Sequence, residues 1–161
     1  MGRGVALSKT KSQQNKVPMD INSWFCYSSS PGGGGSYVSM SGTTGIVVAG
    51  WSVPDGADYY SSGGMQSMAF EKSKGMKVEC SISWDIGGWI QNPHVYIYLY
   101  DITTNTHTQI VHSTGTSSYT GQIPVPTNDK YALRVYLSNI GGWGWWDAKV
   151  ASARSNYART V

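Results

Sequence analysis

The sequence predicts an all-β fold: an antiparallel two-sheet β-sandwich of jelly-roll-like form, with a closed β-barrel as the alternative. Two observations carry this. Apolar and polar residues alternate with a period of two through most of the chain, and turn-forming clusters interrupt the alternation at near-regular spacing. No segment shows the apolar stripe of an amphipathic helix.

Taken in chain order, the first apolar segment is VPMDINSWFCY at 17–27, which holds Ile21, Trp24 and Phe25. It is too apolar for a free tail, so it is expected either as the first strand of the body or as a strand donated to a neighbouring subunit. PGGGGS at 31–36 follows; it matches a common engineered-linker unit and is read here as a natural glycine loop. Strands are then expected at 37–41, 45–53 and 65–72. In MKVECSISWD, Met76, Val78, Cys80, Ile82 and Trp84 share one face. In HVYIYLYD, Val95, Ile97 and Leu99 lie opposite His94, Tyr96, Tyr98 and Tyr100. After strands at 107–113 and 118–125, YALRVYLSN sets Tyr131, Leu133, Val135 and Leu137 against Ala132, Arg134, Tyr136 and Ser138.

The last strand, 145–152, is expected to turn Trp146, Ala148 and Val150 inward and Trp143, Trp145, Asp147 and Lys149 outward. Breakers fall at VPDGAD (53–58), SSGG (61–64), QNP (91–93), TTN (103–105) and VPTND (125–129). Three divisions follow: a basic N-terminal arm at 1–16, an apolar strand with its glycine loop at 17–36, and a β-sandwich domain at 37–161.

The 161 residues suffice for one sizeable core. Only 13% are charged, against a usual share of about 25%. Such a polar, uncharged surface suits β-rich extracellular proteins, fibres and virion shells better than cytosolic enzymes. The net charge of +3 is uneven: Arg3, Lys9, Lys11 and Lys16 precede the body, and Lys149, Arg154 and Arg159 close the chain, with no acid in either stretch. Four charges make a weak footprint for nucleic acid, so a solubilising arm is favoured over a nucleic-acid partner. No run reaches the ~18 apolar residues of a membrane span, and residues 1–16 lack the apolar region of a signal peptide. Cys26 and Cys80 form one even pair; a disulfide and two separate thiols are both open.

IGGW occurs twice, at Ile86–Trp89 and Ile140–Trp143, each copy after a side-chain oxygen carrier, Asp85 or Asn139. If successive strands reverse, both copies emerge at one end of the sandwich and Trp89 approaches Trp143. Trp143 and Trp145, i and i+2 on one face, would stand about 7 Å apart, a spacing that suits stacking on sugar rings or anchoring an interface. Packing under a loop, or over Arg134 or Tyr136, is an equal alternative. For Tyr96, Tyr98 and Tyr100, a packed second face or a subunit contact is favoured over a ligand platform.

The chemistry of an enzyme is missing. No GxSxG elbow surrounds a serine, no HExxH or other zinc spacing joins the histidines, and PGGGG lacks the lysine of a phosphate loop. In a hairpin turning at Thr104 and Asn105, His112 falls opposite Ile97 and away from His94, so no histidine cluster is expected. No cofactor and no metal are expected.

Two readings remain. The first is a non-enzymatic, self-assembling structural protein, such as a virion or phage component or a surface fibre subunit. Its own copies would be its partners, held by aromatic faces and by Ile21, Trp24 and Phe25, at a virion or extracellular surface. The alternative is a carbohydrate-binding or cell-surface-recognition module. It would use Trp89, Trp143 and Trp145 as a platform, with Asp85, Asn139 and Asp147 as hydroxyl partners.

Overall fold

In the computed structural model, eleven strands form among the described residues, which are 18–52, 58–71, 75–88, 90–143 and 149–161, without the side chains of Asp58 and Trp143. They are β1 (Trp24–Ser30), β2 (Ser36–Ser41), β3 (Ile46–Trp51), β4 (Asp58–Ser67), β5 (Phe70–Glu71) and β6 (Lys77–Ile86). The second half holds β7 (His94–Asp101), β8 (Thr106–Ser113), β9 (Ser117–Pro124), β10 (Lys130–Trp143) and β11 (Lys149–Thr160).

One sheet runs β1-β4-β10-β7-β8, with β5 paired to the start of β10; the other runs β2-β3-β11-β6-β9. Every pairing is antiparallel. Strands β3, β4 and β6 to β11 are dealt between the sheets in jelly-roll order, and β1 and β2 extend one edge of each. The sheets remain two, so the fold is the sandwich and not the barrel.

The alternation read from the sequence is the alternation that is buried. Met76, Val78, Cys80, Ile82 and Trp84 meet Val95, Ile97, Leu99, Tyr131, Leu133, Val135 and Leu137 in one core. Because β-strand side chains alternate between faces, the intervening residues of β7 and β10 line the outer face of their sheet. That alternation is what positions the candidate site.

Two open alternatives are resolved and two expectations change. Trp24 and Ile21 are buried in this chain's own core, and β1 pairs with β4 of the same body, so no donated strand is needed to cover them. The SSGG cluster at 61–64 is not a break but the middle of β4. Gly63 and Gly64 stand there because a side chain at either would collide with Val38 or with the Tyr27 ring.

The phase of the last strand is the reverse of the expected one. Lys149, Ala151 and Ala153 are buried, while Val150 and Ser152 are half-exposed. Small alanines occupy the inner positions where β11 pairs with β3 at Ala49. The expected inward Trp146 and outward Trp145 lie outside the described residues. In the basic C-terminal stretch, Arg159 of β11 is ion-paired with Glu79 of β6 at 2.5 Å.

Finally, Cys26 and Cys80 are free thiols. They sit on strands of different sheets, Cys26 exposed on the edge strand β1 and Cys80 fully buried on β6. Burial, with Glu79 beside it, pushes the Cys80 thiol up to about 11.

Candidate functional site

The outer face of the β1-β4-β10-β7-β8 sheet carries the densest set of aromatic and donor side chains among the described residues. Strand register lays it out in rows. Phe25, Gln66, Arg134, Tyr98 and Gln109 are level across β1, β4, β10, β7 and β8. The next row is Ser28, Gly64, Tyr136, Tyr96 and His112, and on the other side Ala132 is level with Tyr100 and His107. Tyr27 is the extra residue of a bulge in β1, between Cys26 and Ser28. Its ring crosses Gly64, where an added Cβ would come within 2.6 Å of it.

The rings form a continuous system. Tyr96 stacks on Tyr98 at a centroid distance of 5.6 Å and on His112 at 4.7 Å. His112 continues to His94, and the two imidazoles are joined by a hydrogen bond of 2.8 Å. At the other end His107 stacks on Tyr100 at 4.7 Å and meets Tyr98 edge-on. Tyr136 bridges from Tyr96 to Tyr27. Each such pair contributes about 0.5–1.5 kcal/mol beyond the area it buries, so the rings hold one another in fixed orientations.

Arg134 sits in the middle. Its guanidinium carbon is 4.0 Å from the Tyr27 ring centre and 3.6 Å from that of Tyr100. Nε donates to Gln66 Oε1 at 2.8 Å, and Nη1 donates to His107 Nε2 at 2.7 Å. Burial first, and the Arg134 cation second, hold His107 below the usual imidazole range. Near pH 7 it is therefore neutral and presents Nε2 as the acceptor the arginine needs. Burial likewise raises the Tyr27 hydroxyl far above the usual phenol range, against the opposing pull of Arg134. Tyr98 is raised by burial, then by Tyr96 and Tyr136. Both tyrosines are neutral donors. Tyr27, Ser28, Tyr98, His107, Arg134 and Tyr136 together line an open cleft of about 340 Å³.

The sequence-predicted residues scatter. Tyr96, Tyr98 and Tyr100 lie in this face. Phe25 is 48% exposed at its edge, whereas Ile21 and Trp24 are core. Asp85 is on the other sheet, accepting a hydrogen bond from Thr116 Oγ1 at 3.2 Å. Asn139 spends its amide donor on the carbonyls of Gln91 and Asn92, at 3.1 and 3.0 Å, and so clamps the loop after β6 to the end of β10. Gln91, two residues beyond the first IGGW copy, also donates its N–H to Gly141 O in the second at 3.2 Å, while Gly87 of the first copy donates to Val150 O on β11. The second copy is strand rather than loop. Trp89, Trp145, Asp147 and the Trp143 side chain lie outside the described residues.

Reading the sequence missed Tyr27, Gln66, His107, His112, Arg134 and Tyr136 as members of one site. The histidine pair is a correction. The β7–β8 hairpin starts from Asp101 opposite Thr106, and one extra residue in β8, Ile110, opposite the step from Tyr98 to Ile97, then shifts the register. Val111, not His112, faces Ile97, and His112 comes to the outer face beside Tyr96. The signal for Arg134 and Tyr136 was present in the outward phase of YALRVYLSN. Tyr27 depends on a bulge that no local pattern announces. No group of three or more metal-ligating side chains occurs among the described residues.

No protein-family model and no curated protein matches the chain. Among solved structures it is similar to a point mutant of a carbohydrate binding module of family 29, with a TM-score of 0.46 and 9% identity over 89% of this chain and 91% of that one. A CBM29-2 mutant complexed with cellulohexaose gives 0.45 and 11% over 89% and 90%. A CBM29-2 mutant complexed with mannohexaose gives 0.43 and 11% over 89% and 91%.

Proposed function

We propose that this chain is a glycan-binding module and that its binding surface is the aromatic outer face of the β1-β4-β10-β7-β8 sheet. The observation that carries this is the cleft in which Tyr27, Tyr98 and Tyr136 surround Arg134 and His107. A pyranose presents a flat C–H face and a rim of hydroxyls. It needs apolar, rigid planes with a few fixed polar groups at their margin. Tyr98 and Tyr136 supply such planes, held in place by their neighbours, and Arg134, His107 and Ser28 supply the polar groups. Prior ordering of the rings lowers the entropy that binding must cost.

This is the second of the two functional readings, relocated from tryptophans to tyrosines. The assembly reading drew on the arm at 1–16, which lies outside the described residues, and on aromatic faces. Here the aromatic face is a cleft of about 340 Å³, a concave shape that suits a small ligand better than a flat subunit contact.

The test is a glycan array probed with the wild-type protein and with Tyr136→Ala, alongside light scattering of both. The reading expects a defined set of glycans bound by the wild type, reduced binding by the variant, and no dependence on self-association. An array left blank by a folded wild-type protein that scatters as a large assembly would overturn it in favour of the structural reading.

A further inference from the structure

Arg134 is a cation in an aromatic cleft with no carboxylate beside it. The one ion pair among the described residues joins Arg159 to Glu79 on the other sheet. The titratable groups around the cleft are His107, Tyr27, Tyr98, Tyr100 and Tyr136, none of them a carboxylate, and the shifts of His107, Tyr27 and Tyr98 keep those three neutral near pH 7. A guanidinium has five N–H groups. Two are committed, Nε–H to Gln66 and one Nη1–H to His107, which leaves three. Half-burying a charge among rings costs solvation, and two cation–π contacts and two hydrogen bonds to neutral acceptors offset only part of it. The neighbours hold the guanidinium plane in place without neutralising it.

We infer that the ligand of this cleft is an acidic sugar residue, whose anionic group is read by the free edge of the Arg134 guanidinium while its ring lies on the tyrosines. This rests on the glycan-binding reading above and narrows it. The shared chemistry is an oxyanion on a saccharide, a uronic carboxylate or a sulfate ester. Arginine binds either through charge-assisted, paired N–H···O bonds, and the planar fork fits a carboxylate best.

The experiment measures affinity by titration calorimetry for four probes: oligogalacturonate, a sulfated oligosaccharide, mannohexaose and cellulohexaose. The expected result is tighter binding of an acidic probe than of either neutral one, and an affinity for it that falls as NaCl is raised. Carboxylate and sulfate sources are told apart by which acidic probe binds. Arg134→Gln should weaken the acidic probe at least about tenfold and weaken the neutral probes by clearly less. Circular dichroism verifies that the variant is folded, and the salt titration of the wild type needs no variant at all. Equal affinity for neutral and acidic probes, insensitive to salt and to Arg134→Gln, overturns the inference and leaves the glycan-binding reading standing. Absence of binding to all four probes and to the array overturns both.

Discussion

Arg134 on β10 lies 3.6 Å from the centre of the Tyr100 ring on β7, and the Tyr27 ring on β1 reaches the same guanidinium at 4.0 Å. Three strands of one sheet thus converge on a single side chain. The arginine ties the edge strand β1 to the middle of the sheet. Its substitution is therefore a matter of stability as well as of ligand.

Arg134→Ala should lower stability by about 1–3 kcal/mol, through loss of cation–π packing and of the hydrogen bonds to Gln66 and His107. Arg134→Lys should recover part of that, since a point charge cannot make the same forked contacts. Urea unfolding measures it. An unchanged midpoint for the alanine variant would mean the cluster holds nothing together.

Gly64 and Gly141 separate site from scaffold. In Gly64→Ala the new methyl meets the outer end of the Tyr27 ring, which can swing away, so ligand affinity should fall while the thermal midpoint moves little. In Gly141→Ala it overlaps the backbone carbonyl of Tyr59, which cannot move without disturbing the β4–β10 pairing, so a loss of about 1–3 kcal/mol or more is expected. Thermal melts and binding of the two variants check this contrast; equal effects of both would contradict it.

The thiols are chemically distinct. Cys26 is exposed, whereas Cys80 is buried and its thiol is raised to about 11, leaving little thiolate at neutral pH. A thiol reagent should modify one cysteine in the native protein and two after denaturation without reductant. Reductant should leave the melting temperature unchanged. Finding no free thiol in denaturant would restore the disulfide.

His107 gives a pH dependence whose sign is set by its lowered folded value. As pH falls below about 6.5, the unfolded imidazole takes up its proton before the folded one does, so stability drains away. It is complete above that pH and is lost as pH falls through the folded value, where a protonated ring also faces Arg134. The melting temperature should therefore fall from pH 7 to pH 5, and fall less in His107→Gln. Identical slopes in both proteins would show that the ring does not titrate as its surroundings require.

The fold was legible because a two-residue period needs only local sequence: MKVECSISWD, HVYIYLYD and YALRVYLSN each present their buried face without ambiguity. Two kinds of residue defeated the reading. Gly63 and Gly64 look like a turn, yet they are flat strand required by Val38 and Tyr27, contacts that no local window contains. Bulges were the other. A single extra residue in β8 moves His112 to the outer face, and one in β1 delivers Tyr27 to Arg134. Trp89, Trp143 and Trp145 stand out by residue type alone, with no need of register. The cleft is built instead from tyrosine, histidine and one arginine drawn from β1, β7, β8 and β10, which only the register brings together.

The most direct measurement of the central claim is the dissociation constant of the strongest array glycan for the wild type, for Tyr98→Ala in the cleft, and for Thr120→Ala on the exposed face of β9 in the opposite sheet. A central aromatic in a binding site typically carries about 2 kcal/mol, roughly 30-fold in Kd. The account predicts a loss of that order for Tyr98→Ala and wild-type affinity for Thr120→Ala. Undiminished binding by a folded Tyr98→Ala protein would contradict it, as would loss in Thr120→Ala alone.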